Sequence, residues 1–211
     1  MAWRPSPRPA SRDRPTLDGV QLILVRHAST AWSGTRYCGR SDPRLTLAGT
    51  REAATLATSL APTLPARMRI VSSPSARAVA TARAIADVAG HRSAIELDER
   101  WLETDFGIAE GRTFDELARE LPGLAESIVA GSTSIDWPNG EAAVALAARV
   151  RAAWDDLIAD GRDAVVVTHA GPLLHAVALA RGLPPDLASI PGPAGLLRFD
   201  IAARGSLADP C

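Results

Sequence analysis

The pair Arg26-His27 is the first place in this chain where the residue types suggest catalysis. It directly follows an apolar run, residues 21–25, that is typical of a short buried strand. Open α/β sheets bind their ligands at the carboxyl ends of such strands. A guanidinium holds two phosphate oxygens at once through its planar fork, and a neutral imidazole is a nucleophile toward phosphorus. The pair therefore predicts a phosphoryl-transfer site in which Arg26 clamps the phosphate and His27 attacks it.

Two later strand-like runs also lead into polar residues. His169 follows an apolar run at 164–167, and Ser72-Ser-Pro follows the run 68–71 and opens a helical segment that contains Arg77. The backbone N–H groups at a helix start favour an anion, so Arg77 is a second candidate for binding phosphate. Three transitions from strand to loop to helix thus carry residues suited to phosphoryl transfer.

Four blocks of sequence, in this order, resemble the histidine phosphatase superfamily, which also contains the cofactor-dependent phosphoglycerate mutases. The blocks are residues 22–30, 37–53, 72–82 and 165–171, and the resemblance covers the chain from about residue 21 to residue 198. A further segment, Trp101-Leu-Glu-Thr-Asp-Phe-Gly, looks like the family segment that supplies a catalytic glutamate.

The resemblance implies a role for each candidate residue. His27 becomes phosphorylated, His169 donates hydrogen bonds to the transferring phosphate, and Glu103 acts first as general acid and then as general base. Asp105 stays open as the alternative to Glu103, because alternation along an extended segment places both carboxylates on one face. The phosphate itself is expected to contact Arg26, Arg77, Ser33 and Ala170.

Three positions depart from the commonest family pattern. Ala28 stands where glycine usually follows the histidine, Ser33 where an asparagine is usual, and Ala142 where a hydroxyl residue often follows Gly-Glu. Ser33 keeps a hydroxyl donor but has a shorter reach. Because none of the three changes removes a catalytic group, activity is expected, with an altered affinity for the phosphate ester.

The elements that must position these residues alternate between strand and helix. Strands are predicted at 21–25, 68–71, 94–97, 164–167 and 195–201, and helices at 46–60, from the Ser-Ser-Pro run to 89, and at 114–120, 141–159 and 171–181. The expected fold is a three-layer α/β domain, residues 19–211, whose central sheet is mostly parallel with helices on both faces. A flexible Arg/Pro-rich tail, 1–18, precedes it. The segment 107–140 is predicted to be a lid or a substrate-selecting insert, interrupted at Pro122-Gly123.

Composition argues against several classes of protein. A formal net charge of −1 gives no basic excess for nucleic acid, and no apolar stretch is long enough for a membrane span. All 23 basic residues are arginine, which removes lysine Schiff-base chemistry. Cys38 and Cys211 form neither a disulfide framework nor a zinc signature. With no cluster of ligands at metal spacing, no metal or other cofactor is predicted, and a cytoplasmic location is expected.

Three functions compete at this point. The favoured one is a metal-independent phosphomonoester hydrolase that acts on a small phosphorylated metabolite. A phosphoglycerate-type mutase is the alternative, although the segment Glu-Thr-Asp-Phe-Gly differs from the Glu-Arg-His-Tyr-Gly run of the mutases. The third is a catalytically silent module that binds a phospholigand. The sequence selects neither a particular phosphate ester nor an oligomeric state.

Overall fold

A computed structural model of the protein describes residues 19–64, 68–90 and 94–202. The strands are β1 (Gly19–Arg26), β2 (Arg69–Ser72), β3 (Glu96–Leu97), β4 (Ala164–Thr168) and β5 (Leu196–Ala202). The helices are α1 (Leu47–Leu60), α2 (Ala76–Val88), α3 (Phe114–Glu120), α4 (Pro122–Val129), α5 (Ala143–Asp160) and α6 (Ala170–Arg181). The predicted tail, 1–18, and Cys211 lie outside the described residues.

The five strands form one sheet in the order β3-β2-β4-β1-β5. The first four are parallel, and β5 pairs antiparallel with β1. The register aligns Arg26 of β1 with Thr168 of β4, and Ser72 of β2 with Val167 of β4. Three neighbouring parallel strands therefore end at one edge of the sheet.

Each face of the sheet is covered by a pair of helices. Successive strand residues point to opposite faces, so Leu24 and Val166 belong to one core and Val25 and Val167 to the other. The first core also contains the buried face of α5 and side chains of α6, and the second contains the buried faces of α1 and α2. The prediction of a three-layer α/β fold with a mostly parallel sheet is confirmed.

The predicted start of α1 is also confirmed in its detail. Thr46 has an extended backbone, and its hydroxyl accepts a hydrogen bond from the Gly49 N–H at 2.9 Å. This is the bond by which an N-cap residue satisfies a free donor in the first helical turn. The cap fixes where the chain turns from the loop after β1 into the helix that covers the sheet.

The segment 107–140 contains one helix more than predicted. The prediction of a break at Pro122-Gly123 is wrong, because Pro122 is the first residue of α4. Proline is well suited to that position, since the first helical residue donates no intrahelical hydrogen bond and the ring fixes a helical φ. A turn at Leu121 therefore separates α3 from α4, and the proline begins a helix there.

Candidate active site

The candidate site lies where β1, β2 and β4 end. The His27 N–H donates to the carbonyl of Thr168 at 2.9 Å, and the Ser73 N–H donates to the carbonyl of Val167 at the same distance. These bonds extend the parallel ladders by one residue past the strands. The loops that follow the three strands consequently start side by side, as the sequence predicted for His27 and His169.

The two predicted histidines are in direct contact. The ring centroids of His27 and His169 are 4.9 Å apart, with the rings inclined at 61°. Both side chains are buried, and His169 is fully so. Burial penalises the charged imidazolium, and it lowers the pKa of His27 to about 4 and that of His169 well below its usual value. Both rings are therefore neutral at pH 7.

A backbone contact fixes the tautomer of a neutral His27. Its Nδ1 lies 2.8 Å from the carbonyl oxygen of Ala28, which can only accept. The proton of the neutral ring consequently sits on Nδ1, and the lone pair is on Nε2. Among the described residues, no group is hydrogen-bonded to Nε2. His27 thus presents an unprotonated ring nitrogen, as a nucleophile requires.

Two serine hydroxyls hold His169. Its Nε2 lies 2.8 Å from Ser73 Oγ and 3.3 Å from Ser75 Oγ. His169 is the N-cap of α6, so the strand, the helix start and the two hydroxyls all restrict the ring. Sequence reasoning did not single out Ser73 and Ser75. Their signal was available, because both belong to the Ser-Ser-Pro-Ser run that follows β2.

Arg77 is fully buried, and its outer nitrogens are already engaged. They donate to the carbonyl oxygens of Cys38, Gly39 and Ser41 at 2.7–3.3 Å, and one lies 3.4 Å from a carboxylate oxygen of Asp42. Arg77 therefore ties α2 to the loop 38–42. Its Nε is buried and has no hydrogen-bond partner within the described residues.

The same loop is held from its other side by Glu110. The Glu110 carboxylate accepts from the backbone N–H groups of Gly39, Arg40 and Ser41 at 3.0–3.3 Å. The loop thus gives its carbonyls to Arg77 and its amides to Glu110. No motif in the sequence pointed to Glu110, because the contact spans about 70 residues and depends on the folded arrangement.

Arg26 lies at the end of β1, beside His27. One of its outer nitrogens donates to the carbonyl of Pro191 at 3.1 Å, while its Nε is buried without a partner within the described residues. Burial lowers the pKa of Arg26, and the nearby Glu103 opposes that shift. The positive charges of Arg26 and Arg77 both reach His27, and they add to the effect of burial in lowering its pKa.

Glu103 is buried against the start of α6. Its Oε1 accepts from the N–H groups of Thr104 and Gly171, each at 2.9 Å. Burial raises the pKa of Glu103, and these two amides together with Arg77 and Arg26 oppose the shift. A Cβ at position 171 would overlap Glu103 Oε1 and Thr104 Oγ1, so these side chains would have to shift to admit one. The fold therefore places a carboxyl group with a raised pKa close to the two arginines.

The other acidic candidate, Asp105, has a different environment. Its Oδ1 accepts from the Gly107 N–H at 2.9 Å, in a tight turn of the kind that aspartate commonly makes. Its backbone N–H and carbonyl are bonded to Glu141. The structure brings Glu103, and not Asp105, to the start of α6.

The two remaining predicted phosphate contacts are Ser33 and Ala170. Ser33 Oγ accepts from the Thr30 N–H at 2.9 Å and lies 3.4 Å from Thr30 Oγ1, so the hydroxyl closes the turn after β1. Ala170 is the first residue of α6, and its N–H belongs to the free first turn of that helix. A backbone N–H at a helix start is an anion donor.

Within residues 19–64, 68–90 and 94–202, no group of three or more His, Cys, Asp or Glu side chains is placed to hold a metal ion. In the same residues, no helix has both the length and the apolar character needed to cross a membrane.

Sequence comparisons find known proteins that are similar to this chain. A sequence model of the histidine phosphatase superfamily (branch 1) matches residues 22–205. A relative from Enterobacter sp. (strain 638), named "Probable phosphoglycerate mutase GpmB", is 36% identical over 168 residues, which cover 78% of this chain and 76% of the relative.

Solved structures with the same fold include a phosphatase and a protein for which phosphatase activity has been proposed. The mycobacterial glucosyl-3-phosphoglycerate phosphatase is 27% identical with a TM-score of 0.76, and the match covers 86% of this chain and 90% of that one. An Escherichia coli protein proposed to be an alpha-ribazole-5′-P phosphatase is 24% identical with a TM-score of 0.74, covering 87% and 91%. The second likeness concerns the fold alone.

Proposed function

The chain belongs to the histidine phosphatase superfamily, and from this premise we propose that it is a metal-independent phosphomonoester hydrolase that acts on a small phosphorylated metabolite. Its relatives and structural neighbours include proteins named as phosphatases and as mutases, so an enzyme of phosphoryl transfer is the common expectation. Hydrolysis through a phosphohistidine is the finer claim, and it depends on the site geometry.

One observation carries the proposal. Five buried side-chain nitrogens lack a hydrogen-bond partner within the described residues, and three of them belong to the candidate site: Nε of Arg26, Nε of Arg77 and Nδ1 of His169. Buried donors without partners are rare in folded proteins and call for an explanation. Two of the three belong to arginines whose positive charges act on His27, an imidazole whose Nε2 has no hydrogen-bond partner within the described residues, and a phosphate dianion at that Nε2 would be attracted by both charges.

The reaction follows from this arrangement in two steps. In the first, Nε2 of His27 attacks phosphorus in line, the ester P–O bond breaks, and its electron pair goes to the leaving oxygen. Glu103, whose pKa is raised by burial, gives a proton to that oxygen. Arg26, Arg77 and His169 stabilise the charge on the phosphoryl oxygens.

In the second step, water attacks the phosphorus of phospho-His27. Glu103, now a carboxylate, takes a proton from the water. The P–N bond breaks and returns its electron pair to Nε2, which releases inorganic phosphate and restores the starting state. The covalent intermediate divides one difficult displacement into two easier ones.

A mutase is the second candidate, and the relative named as a phosphoglycerate mutase favours it. The two activities share phospho-His27 and differ in the acceptor of the phosphoryl group. In a hydrolase the acceptor is water, whereas in a mutase it is a second hydroxyl of the substrate. Transfer of labelled phosphate between the hydroxyls of phosphoglycerate, with little release of inorganic phosphate, would favour the mutase.

The test of the proposal is hydrolysis of p-nitrophenyl phosphate in the presence of EDTA. Wild-type protein should hydrolyse this ester. His27→Ala should reduce the rate by roughly 10³-fold or more, since removal of the nucleophile abolishes the covalent route. His175→Ala, a histidine on α6 that the site does not use, is the matched control and should retain activity.

Trapping identifies the intermediate. A rapid acid-free quench should yield phosphorylated wild-type protein, with the phosphate on His27 by mass spectrometry. Activity that EDTA removes would contradict the metal-free mechanism. Binding of phosphate without turnover of any ester would instead support the silent phospholigand module.

A further inference from the structure

Side chains, rather than a neighbouring strand, hold the backbone that carries Glu103. Residues 100–103 run from a short 3₁₀ turn into the site, and each of their four carbonyl oxygens accepts a side-chain hydrogen bond. Arg149 of α5 donates to three of them, at 2.7, 2.7 and 3.1 Å, and the Thr168 hydroxyl donates to the fourth at 2.6 Å. The position of this segment therefore depends largely on one guanidinium.

A carboxylate just before the start of α5 fixes that guanidinium. Arg149 Nε and Nη2 donate to the two carboxylate oxygens of Glu141 at 2.6 and 2.8 Å, a bidentate pair, and both side chains are largely buried. Glu141 also holds Asp105 directly, since its N–H donates to the Asp105 carbonyl and its carboxylate accepts from the Asp105 N–H. The pair therefore makes hydrogen bonds to the backbone both before and after Glu103.

We infer that the Arg149–Glu141 pair is a positioning device for the general acid, which sets where the Glu103 carboxyl stands relative to the leaving oxygen. The inference rests on the proposed function of Glu103. Neither side chain of the pair is hydrogen-bonded to His27 or His169, so its hydrogen bonds reach the site through the segment that it holds. The positive charge of Arg149 also acts on His169, and a lysine at position 149 keeps that charge.

The chemistry of the leaving group separates this role from a general contribution to folding. A p-nitrophenolate departs without protonation, whereas the alkoxide of an alkyl phosphate departs only when an acid protonates it. Displacement of Glu103 should therefore lower kcat/KM for alkyl esters far more than for p-nitrophenyl phosphate, because kcat/KM reports the first step and does not include the hydrolysis of phospho-His27 that all esters share. A loss of folded protein would slow both esters equally.

The variant that tests the inference is Arg149→Lys, which keeps the charge and loses the planar fork. The kcat/KM for an alkyl phosphate such as glycerol 2-phosphate should fall by roughly 10- to 100-fold, since small misplacements of a catalytic group cost this much. The kcat/KM for p-nitrophenyl phosphate should fall less than about threefold. Arg151→Met is the control, because Arg151 is an exposed arginine two residues along the same helix.

A double variant adds a second criterion. Arg149→Lys combined with Glu103→Gln should be about as slow on glycerol 2-phosphate as Glu103→Gln alone, since the arginine acts through the glutamate. Additive losses, or equal losses on the two esters, would overturn the inference. Glu141→Gln, which retains the shape of the side chain, should show the same preference for p-nitrophenyl phosphate and serves if Arg149→Lys does not fold.

Amide hydrogen exchange provides a readout without turnover. The N–H groups of Thr104 and Gly171 both donate to Glu103 Oε1, so they report directly on where that carboxyl stands. Both should exchange at least tenfold faster in Arg149→Lys than in Arg151→Met, and unchanged exchange would overturn the inference. If the wild-type protein hydrolyses no ester, the proposed function fails, and the exchange rates still decide whether Arg149 positions Glu103.

Discussion

Two regions of this molecule differ sharply in how they are built. The strand-end site, which comprises residues 26–28, 72–77 and 168–171, extends the ladders of a buried parallel sheet, and its histidines and Arg77 are buried. The insert, residues 107–140, contains two short helices with one buried residue each, Leu117 and Ala125. The first region therefore has the rigidity that chemistry requires, and the second is free to vary in shape.

This difference indicates that the strand-end site carries out the chemistry and that the insert selects the substrate. Phosphoryl transfer needs a nucleophile, an acid and donors held in a fixed geometry, and a sheet edge supplies such a frame. Selectivity among phosphate esters requires pocket-lining residues that differ between proteins of one fold, and loops and short helices supply such residues. We therefore expect substitutions in the strand-end site to change turnover and those in the insert to change selectivity.

Among substitutions that leave every proposed catalytic side chain in place, Gly171→Ala is the one for which we expect the largest effect. The added methyl would press on Glu103 and Thr104, so the carboxyl has to move away from the helix start. A displacement of about 1 Å at a catalytic group can cost roughly 10²-fold in turnover, which is the loss expected for glycerol 2-phosphate. Steady-state kinetics of the purified variant measure it.

Gly123→Ala is the matched control from the insert. A Cβ at Gly123 meets nothing within 4 Å, and the residue lies inside α4. Turnover should be unchanged, and the helix should gain roughly 0.5–1 kcal/mol from the better helix former. Similar turnover in the two alanine variants would refute the division between the regions.

Glu110→Gln comes next, because Glu110 is the point where the insert supports the strand-end site. An amide in place of the carboxylate loses the charge, and it presents an NH₂ group to backbone N–H groups that need acceptors. The loop 38–42 should loosen around Arg77, which should weaken phosphate binding by roughly tenfold.

Competitive inhibition by inorganic phosphate measures this weakening. Glu120→Gln is the control, since Glu120 is an exposed residue at the end of α3 that is paired with Arg112. Equal inhibition constants for the two variants would show that the loop holds Arg77 without help from Glu110.

Trp137→Leu tests the insert itself. The ring of Trp137 packs against those of Tyr37 and Phe106, with centroid distances of 5.4 and 4.6 Å, so three separate loops meet there. Loss of the ring should cost about 1 kcal/mol of stability for each aromatic pair. Turnover of p-nitrophenyl phosphate should change less than about threefold, because no reacting group is touched.

The readout for this variant is the ratio of kcat/KM values across a panel of sugar, glycerate and aryl phosphates. We expect that ratio to change while the maximal rate holds. A uniform loss on every ester, with the fold intact by circular dichroism, would place Trp137 among the residues that chemistry requires.

The contrast between the strand-end site and the insert also explains which residues of the site could be predicted from the sequence. His27, Arg26 and His169 were placed correctly beside one another because apolar runs identify buried parallel strands, and strand ends meet at one edge of the sheet. The choice between Glu103 and Asp105 depended on the Gly171 N–H, a contact between distant segments that no local pattern encodes. The same holds for Glu110, whose partners lie about 70 residues away.

In the insert, the local sequence pattern did not predict correctly where the helices begin and end. Pro122 was read as a break because proline ends helices from within, yet the residue starts α4. The difference depends on whether the preceding helix has already ended, which Leu121 settles by leaving the helical region with φ −136° and ψ 64°. A single residue's backbone angles are set by packing, so the pattern of apolar residues could not show them.

The smallest effect on rate should come from lowering the pH from 7 to 5. This change tests the strand-end site alone, because its histidines are buried. With the pKa of His27 lowered to about 4, its ring should stay neutral down to pH 5. Its neutral fraction would then fall by only about a tenth between pH 7 and pH 5, whereas that of an unshifted histidine would fall roughly 25-fold. Titration of the imidazole by NMR measures this directly, with the protein unfolded in urea as reference.

The lowered pKa of His27 also fixes the direction in which the free energy of unfolding changes with pH. Between pH 6.5 and about 4 the unfolded chain binds a proton on His27 that the folded protein does not, so stability falls as the pH falls through that window. His27 alone contributes at most about 3 kcal/mol to this fall, and His27→Ala should flatten the dependence by that amount. A midpoint near 6.5 in the folded protein would mean that the ring is open to water, and the strand-end site would then lack the burial that distinguishes it from the insert.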